Sequence, residues 1–185
     1  MSAIGTDEDL RSRVAAYLGR QTGRPVRLGR IRRFPVGFSW LTYLVPVAGL
    51  DDTAGERELI LRLGPDEGLF APYSALPQVR AMQSLEGSGV PVPRAFWHSD
   101  DPAILGAPFL FSEKAEGEAV VPWVSPAEPP LEEGLRIRLA HQFIDSLAAL
   151  HRVDWHGKPI AAMAGDVDEG NAALRSVETW EALIR

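Results

Sequence analysis

"RRFPVGFSWLTYLVPV", Arg32–Val47, is the stretch on which the fold turns. Apolar and β-branched residues flank a short "VGFS" on both sides, the composition of two strands joined through a tight bend. Gly37 leaves the backbone there free of a Cβ. That freedom suits a plain hairpin turn. It also suits a loop whose main-chain N–H groups close on a phosphate. The stretch alone leaves both readings open.

Working outward, "TDEDLRSRVAAYLGRQTG" (6–23) reads as an amphipathic helix, capped by Thr6 or Asp7 and ended by Gly19 or Gly23. Leu10, Val14, Tyr17 and Leu18 fall on one of its faces. "VRLGRIRRFP" and "WLTYLVPVAG" form a strand pair around the bend. "RELILRLG" (57–64) has the dense apolar centre of a well-covered strand. "LPQVRAMQSLEGSG" (76–89) is a second helix with Pro77 in its first turn. "VPVPRAFWHSD" is extended, because residues before proline avoid the helical region. "FLFSEKAEG" is a further strand, and "WVSPAEPP" is a connector. A long helix follows over "LEEGLRIRLAHQFIDSLAALHRVDW" (131–155), with Leu135, Leu139, Phe143, Ile144, Leu147 and Leu150 as its buried stripe. "HGKPIAAMAGDVDEGN" reads as loop, and "AALRSVETWEALIR" as another helix. The fold class is therefore α+β: an antiparallel sheet of about five strands with one packed helix and an N-terminal helix, then the first helices of an α-helical lobe.

The 185 residues are 45 % hydrophobic and 24 % charged, as in soluble globular proteins. A net charge of −6 argues against a general nucleic-acid binder, which needs clustered Lys and Arg. The sequence has no cysteine, so disulfides, thiolate metal sites and a cysteine nucleophile are excluded. No apolar run reaches the ~20 residues of a membrane helix. The acidic start "MSAIGTDEDLRSRV" is unlike a signal peptide, so a cytoplasmic protein is expected.

"VGFSWLTYLV", "ELILRLGP", "LPQVRAMQSLEGSGVPVPRAFW", "LGAPFLFSEKAEGE" and "LAALHRVDW" follow one another in an order and at spacings that resemble the aminoglycoside phosphotransferase and choline-kinase-like family, relatives of protein kinases. The match covers roughly residues 30–155. The resemblance implies a nucleotide-binding lobe over 1–113, a hinge and connector over 114–130, and the start of a helical lobe over 131–185, cut short. It implies ATP as phosphoryl donor, Mg2+ as its metal in the intact protein, and a hydroxyl on a small, cationic-leaning molecule as acceptor.

The resemblance places Gly37, Phe38 and Ser39 in the nucleotide loop. Arg62, at the end of "LILRL", would be the cation that meets the phosphates, with a planar fork suited to their oxygens. Gln78 stands where relatives carry the Glu that orients this cation, and a neutral amide forms no ion pair. Glu86 or another carboxylate would then have to substitute. Trp40 stands where relatives often have Asn. The adenine would meet main-chain groups of Ser112, Glu113, Lys114 and Ala115. His151 is expected to be structural, packed and hydrogen-bonded near its helix end. "AGDVDEGN" holds Asp166 and Asn171 at the five-residue separation of the family's catalytic loop, but Ala164 replaces the usual His and the loop comes too early in the chain. It reads as an acidic solvated loop. No catalytic residue is therefore assigned. The chain is expected to be inactive alone and to self-associate through exposed C-terminal helices. Two other readings remain: a non-catalytic interaction module on the same frame, or an unrelated α+β domain.

Overall fold

The computed structural model describes residues 7–35, 39–51, 55–65, 72–117, 131–165, 168 and 170–184. In chain order its elements are α1 (Asp7–Thr22), β1 (Arg27–Leu28), β2 (Arg32–Arg33), β3 (Leu41–Ala48), β4 (Glu56–Leu63), α2 (Leu76–Leu85), β5 (Ala95–Ser99), α3 (Pro102–Leu105), β6 (Phe109–Glu113), α4 (Glu133–His151), α5 (Ala161–Ala164) and α6 (Ala172–Ile184). The strands form one six-stranded sheet in the order β1-β3-β4-β6-β5, with β2 also paired to β3. All its pairings are antiparallel.

Pro46 explains why the strand beside β3 is broken in two. It has no N–H to offer a neighbour. β1 pairs with Val47 and Ala48, and β2 with Tyr43 and Leu44. Between them the Gly29 N–H donates to the Pro46 carbonyl at 2.8 Å. A Cβ on residue 29 would lie 2.8 Å from that of Pro46, so glycine is what lets the two backbones meet.

Strand alternation divides the side chains between two cores. Leu59, Leu61 and Leu63 of β4 join Tyr43, Val45 and Val47 of β3 and Phe109 and Phe111 of β6 on one face. α1 closes this face with Leu10, Val14, Tyr17 and Leu18, the four residues read from its periodicity. Each fully buried leucine contributes about 1.5–3 kcal/mol through area removed from water. Tyr17 sits edge-on to Phe109 with ring centroids 4.9 Å apart, and its hydroxyl donates to the His98 carbonyl at 3.4 Å. The opposite face carries a smaller core of Trp40, Ala75, Val79, Ala95 and Leu110, with Tyr73 and Met82 packed against it. α2 supplies this second cover.

Three features differ from the sequence reading. α3 was not expected. Its start is local: Asp101 caps it by accepting the Ala103 N–H at 2.9 Å, and Pro102 supplies a helical φ. α5 interrupts a stretch read as loop. The stripe on α4 is not buried: Phe143 is 67 % exposed and Ile144 60 %, and α4 has no buried residue. Its pattern is that of a helix built to be covered, and no described element covers it. Leu174, Val177 and Trp180 of α6 are likewise exposed.

Candidate functional site

β4 presents Leu59, Leu61 and Leu63 to the larger core, so Ile60 and Arg62 must face the other way. The register places Arg62 opposite Thr42 on one side and Leu110 on the other, and Ile60 opposite Leu44 and Ser112. Arg62 therefore stands on the α2 side of the sheet, half-buried, and burial pushes its guanidinium below its ordinary value. Its guanidinium carbon lies 5.8 Å from the centroid of the Trp40 ring, within cation–π range. Trp40 in turn meets Tyr73 edge-on at 5.5 Å. Among the described residues no carboxylate pairs with Arg62.

Gln78 lies in the first turns of α2, next to Val79 of the smaller core. Its Oε1 is buried without a hydrogen-bond donor, and so is the hydroxyl of Tyr73. Arg62 and Gln78 thus share a side of the sheet but are not bonded to one another through that oxygen. Glu86 does not substitute. It is the exposed C-cap of α2, eight residues beyond Gln78, or about 12 Å along a helix.

The position of α2 rests on Asp100. Its Oδ1 accepts the Ala75 N–H at 2.7 Å, and its Oδ2 accepts the Ser74 hydroxyl at 2.6 Å. A carboxylate from beyond β5 does the work that a capping side chain usually does within a helix. Asp100→Ala is expected to cost about 1–2 kcal/mol, read as a lower urea midpoint with an unchanged slope. Asp100→Asn, which keeps an acceptor oxygen, should recover most of that loss.

At the far end of β6 the main chain is divided between two uses. The Glu113 N–H donates to the Arg94 carbonyl at 2.9 Å, and the Glu113 carboxylate accepts the Arg94 N–H at 3.1 Å. The Ser112 hydroxyl donates to the Glu113 carbonyl at 3.2 Å. Ala115 has left the sheet, and its main-chain groups have no partner among the described residues. Lys114 braces this segment, with Nζ 2.8 Å from Glu58 of β4 and 3.3 Å from Glu116. From Leu110, beside Arg62, to Ala115 is five residues, or about 16 Å of extended chain. An extended nucleoside triphosphate has a length of that order.

Of the residues singled out from the sequence, Gly37 and Phe38 lie outside the described residues. Ser39 is half-buried in the bend just before β3 and immediately precedes Trp40. Most of the connector (118–130) and Asp166 also lie outside them. Asn171 is engaged at the start of α6: its Oδ1 accepts the Asp168 N–H at 2.9 Å, and its own N–H donates to the Asp168 carboxylate at 3.0 Å. His151 is exposed at the end of α4 with no hydrogen bond from its ring among the described residues, contrary to the packed role expected of it. Ile60 was missed, although the alternation of "LILRL" puts it on the Arg62 side as the apolar surface left partly open there. Tyr73, between "RELILRLG" and "LPQVRAMQSLEGSG", carried no signal of its own. No three His, Asp or Glu side chains converge among the described residues as a metal site would require.

The family model for the phosphotransferase enzyme family matches residues 30–183. This chain belongs to the phosphotransferase enzyme family. No curated protein matches it in sequence. The fold of this phosphotransferase-family chain is also that of a crystal structure of a "putative aminoglycoside phosphotransferase" from Ralstonia eutropha JMP134, with a TM-score of 0.60 and 23 % identity. The likeness covers 92 % of this chain and 46 % of that one, so the present chain spans about half the length of its structural neighbour. The kinase-like sheet with its packed helices is thus common to both. No helix among the described residues is long and apolar enough to cross a membrane.

Proposed function

We propose that these residues form the nucleotide-binding lobe of a small-molecule phosphotransferase, with ATP as donor and a substrate hydroxyl as acceptor. Residues 1–113 make the lobe, 114–130 the hinge and connector, and 131–185 the start of a helical lobe. The observation that carries the reading is Arg62: a half-buried cation with no carboxylate partner among the described residues, on the side of the sheet where a described polar acceptor is also left unsatisfied. Such a charge is costly unless a counter-charge arrives. A triphosphate supplies one, and phosphoryl transfer consists largely of positioning and offsetting that charge. In this reading the amides of Gly37, Phe38 and Ser39 close over the phosphates. The base lies over Ile60, and its polar edge meets Glu113 and Ala115. Mg2+ belongs to the family's chemistry, but no described cluster fits it, so no metal ligand is assigned. The cytoplasm, where ATP is abundant, is the compartment this reading implies.

The neutral Gln78 favours a second reading, a non-catalytic module that keeps the frame without the ligand. Thermal melting with and without millimolar ATP·Mg2+ separates the two. A ligand at 100 times its Kd stabilises by about 2.7 kcal/mol. At about 2–4 °C per kcal/mol for a chain of this size, the midpoint should rise by several degrees. An unmoved midpoint would leave the interaction module as the better reading. Binding without turnover is expected of this chain, since Asn171 is engaged in a helix cap and not in a converging metal site.

A further inference from the structure

Where the end of α4 comes against the turn after α2, a cleft of about 310 Å³ is lined by Ser88, Ala149, Arg152, Val153, Asp154 and Lys158. None of these residues belongs to the nucleotide contacts read from the sequence. Arg152 and Lys158 bring two positive charges to the cleft, and neither forms an ion pair with a carboxylate among the described residues. Asp154, the one carboxylate on the wall, is turned to His156: its Oδ1 accepts the His156 main-chain N–H at 3.0 Å and lies 2.9 Å from the ring Nδ1. The last carbonyls of α4 are also engaged, since Ala149 and Leu150 accept the N–H groups of Arg152 and Val153 at 3.1 Å. The Ser88 hydroxyl donates to the Leu85 carbonyl at 2.6 Å and so holds its own turn. The charges left to meet a ligand are therefore the two cations. A guanidinium fork beside an ammonium suits the oxygens of a phosphate, through short charge-assisted hydrogen bonds. The volume exceeds what a phosphate alone fills and lies at the small end of ligand pockets, which leaves room for a compact organic body. We propose that this cleft binds a small phosphomonoester from solution, its phosphate held between Arg152 and Lys158. Ser88 comes from the sheet lobe and the other five wall residues from the C-terminal segment, so the bound molecule ties the two together. The Ile160 N–H bonded to Ser84 already crosses between the same two parts of the chain.

The test is calorimetric titration of the whole chain with glycerol 3-phosphate, inorganic phosphate and acetate at matched ionic strength. Glycerol 3-phosphate should bind with a Kd of about 1 mM or tighter. Inorganic phosphate should bind no more tightly, and acetate at least fivefold more weakly. Arg152→Gln and Lys158→Gln should each weaken glycerol 3-phosphate about tenfold or more, the effect of losing a hydrogen bond to a charged group. Arg136→Gln removes the same charge elsewhere on α4 and should change the affinity less than twofold. Arg62→Met should likewise leave it unchanged, which separates this cleft from the nucleotide reading. Hydrogen exchange at the last-turn amides of α4 should slow at least threefold with saturating glycerol 3-phosphate. Absence of binding overturns the inference, as does acetate binding as well as the phosphates. Equal losses in Arg136→Gln and Arg152→Gln overturn it too, because net charge and not the cleft would then govern binding. A loss in Arg62→Met overturns it by placing the phosphate at the sheet. Unchanged exchange in α4 overturns the tie between the two parts. The wild-type titrations and the exchange measurement decide the matter whether or not any variant folds.

Discussion

Arg62→Met should cut the thermal response of this protein to ATP to about half or less while leaving the unliganded protein as stable as before or slightly more so. The two halves of this result come from the same fact. Arg62 is half-buried on the α2 side of the sheet, burial works against its charge, and no described carboxylate offsets it. Methionine keeps the unbranched stem along β4 and removes the charge. The lost cation–π contact with Trp40, about 0.5–1 kcal/mol, is replaced by a sulfur–aromatic contact of about 0.3–1.5 kcal/mol. With nucleotide present the balance reverses. A hydrogen bond to a charged group contributes about 1.5–3 kcal/mol, so its loss weakens binding about 10- to 100-fold. Melting curves with and without millimolar ATP check both halves. A fall of several degrees in the unliganded midpoint would show that Arg62 is there to hold the sheet together. An undiminished ATP shift would show that the phosphates lie elsewhere.

Phe111→Ala should have the largest effect on folding. Phe111 has no exposed surface, and its ring meets Phe109 at 5.8 Å, Tyr17 at 6.1 Å and Trp97 at 6.5 Å. It therefore joins α1, β5 and β6 through one side chain. Deleting such a ring costs about 3–5 kcal/mol, against a total stability of about 5–15 kcal/mol for a typical domain. The variant is expected to lose most of its cooperative urea transition and its near-ultraviolet dichroism at room temperature. Phe111→Leu, which fills more of the space, should keep a clear transition at a lower midpoint. Equal midpoints for Phe111→Ala and wild type would mean that the aromatic cluster does not anchor the sheet.

The sheet and its two covers were legible because they follow from local patterns. α1 declared its buried face through Leu10, Val14, Tyr17 and Leu18, and all four are buried. β4 declared itself through the dense apolar run around Leu61, and Pro77 sits in the first turn of α2 as placed. The α4 stripe misled for a physical reason: periodicity shows which face of a helix needs a cover, not whether one is present. α3 was missed because its four residues hold too few side chains to show a period, and its cap at Asp101 looks like any turn. In the site, Arg62 stood out as a lone cation in an apolar strand. The orphaned Tyr73 hydroxyl and the hold of Asp100 on α2 could not be read, since both depend on which chain segments meet across the smaller core. Gln78 was noticed as a departure in kind. That it carries a buried oxygen with no donor is a property of packing.

The bare flank of α4 bears on how any unfolding experiment is interpreted. A helix of 19 residues without tertiary cover has little beyond its own ladder and the Glu132 cap to hold it. In proteins most of a helix's stability comes from tertiary packing of its apolar face. The C-terminal helices meet the rest through sparse contacts such as the Ile160 N–H bonded to Ser84 at 3.0 Å. Fraying there and collapse of the sheet are separate events, so one transition temperature would describe only the latter. Circular dichroism at 222 nm would mix the two, whereas the emission of a variant that keeps only Trp40 and Trp97 of the five tryptophans would follow the sheet.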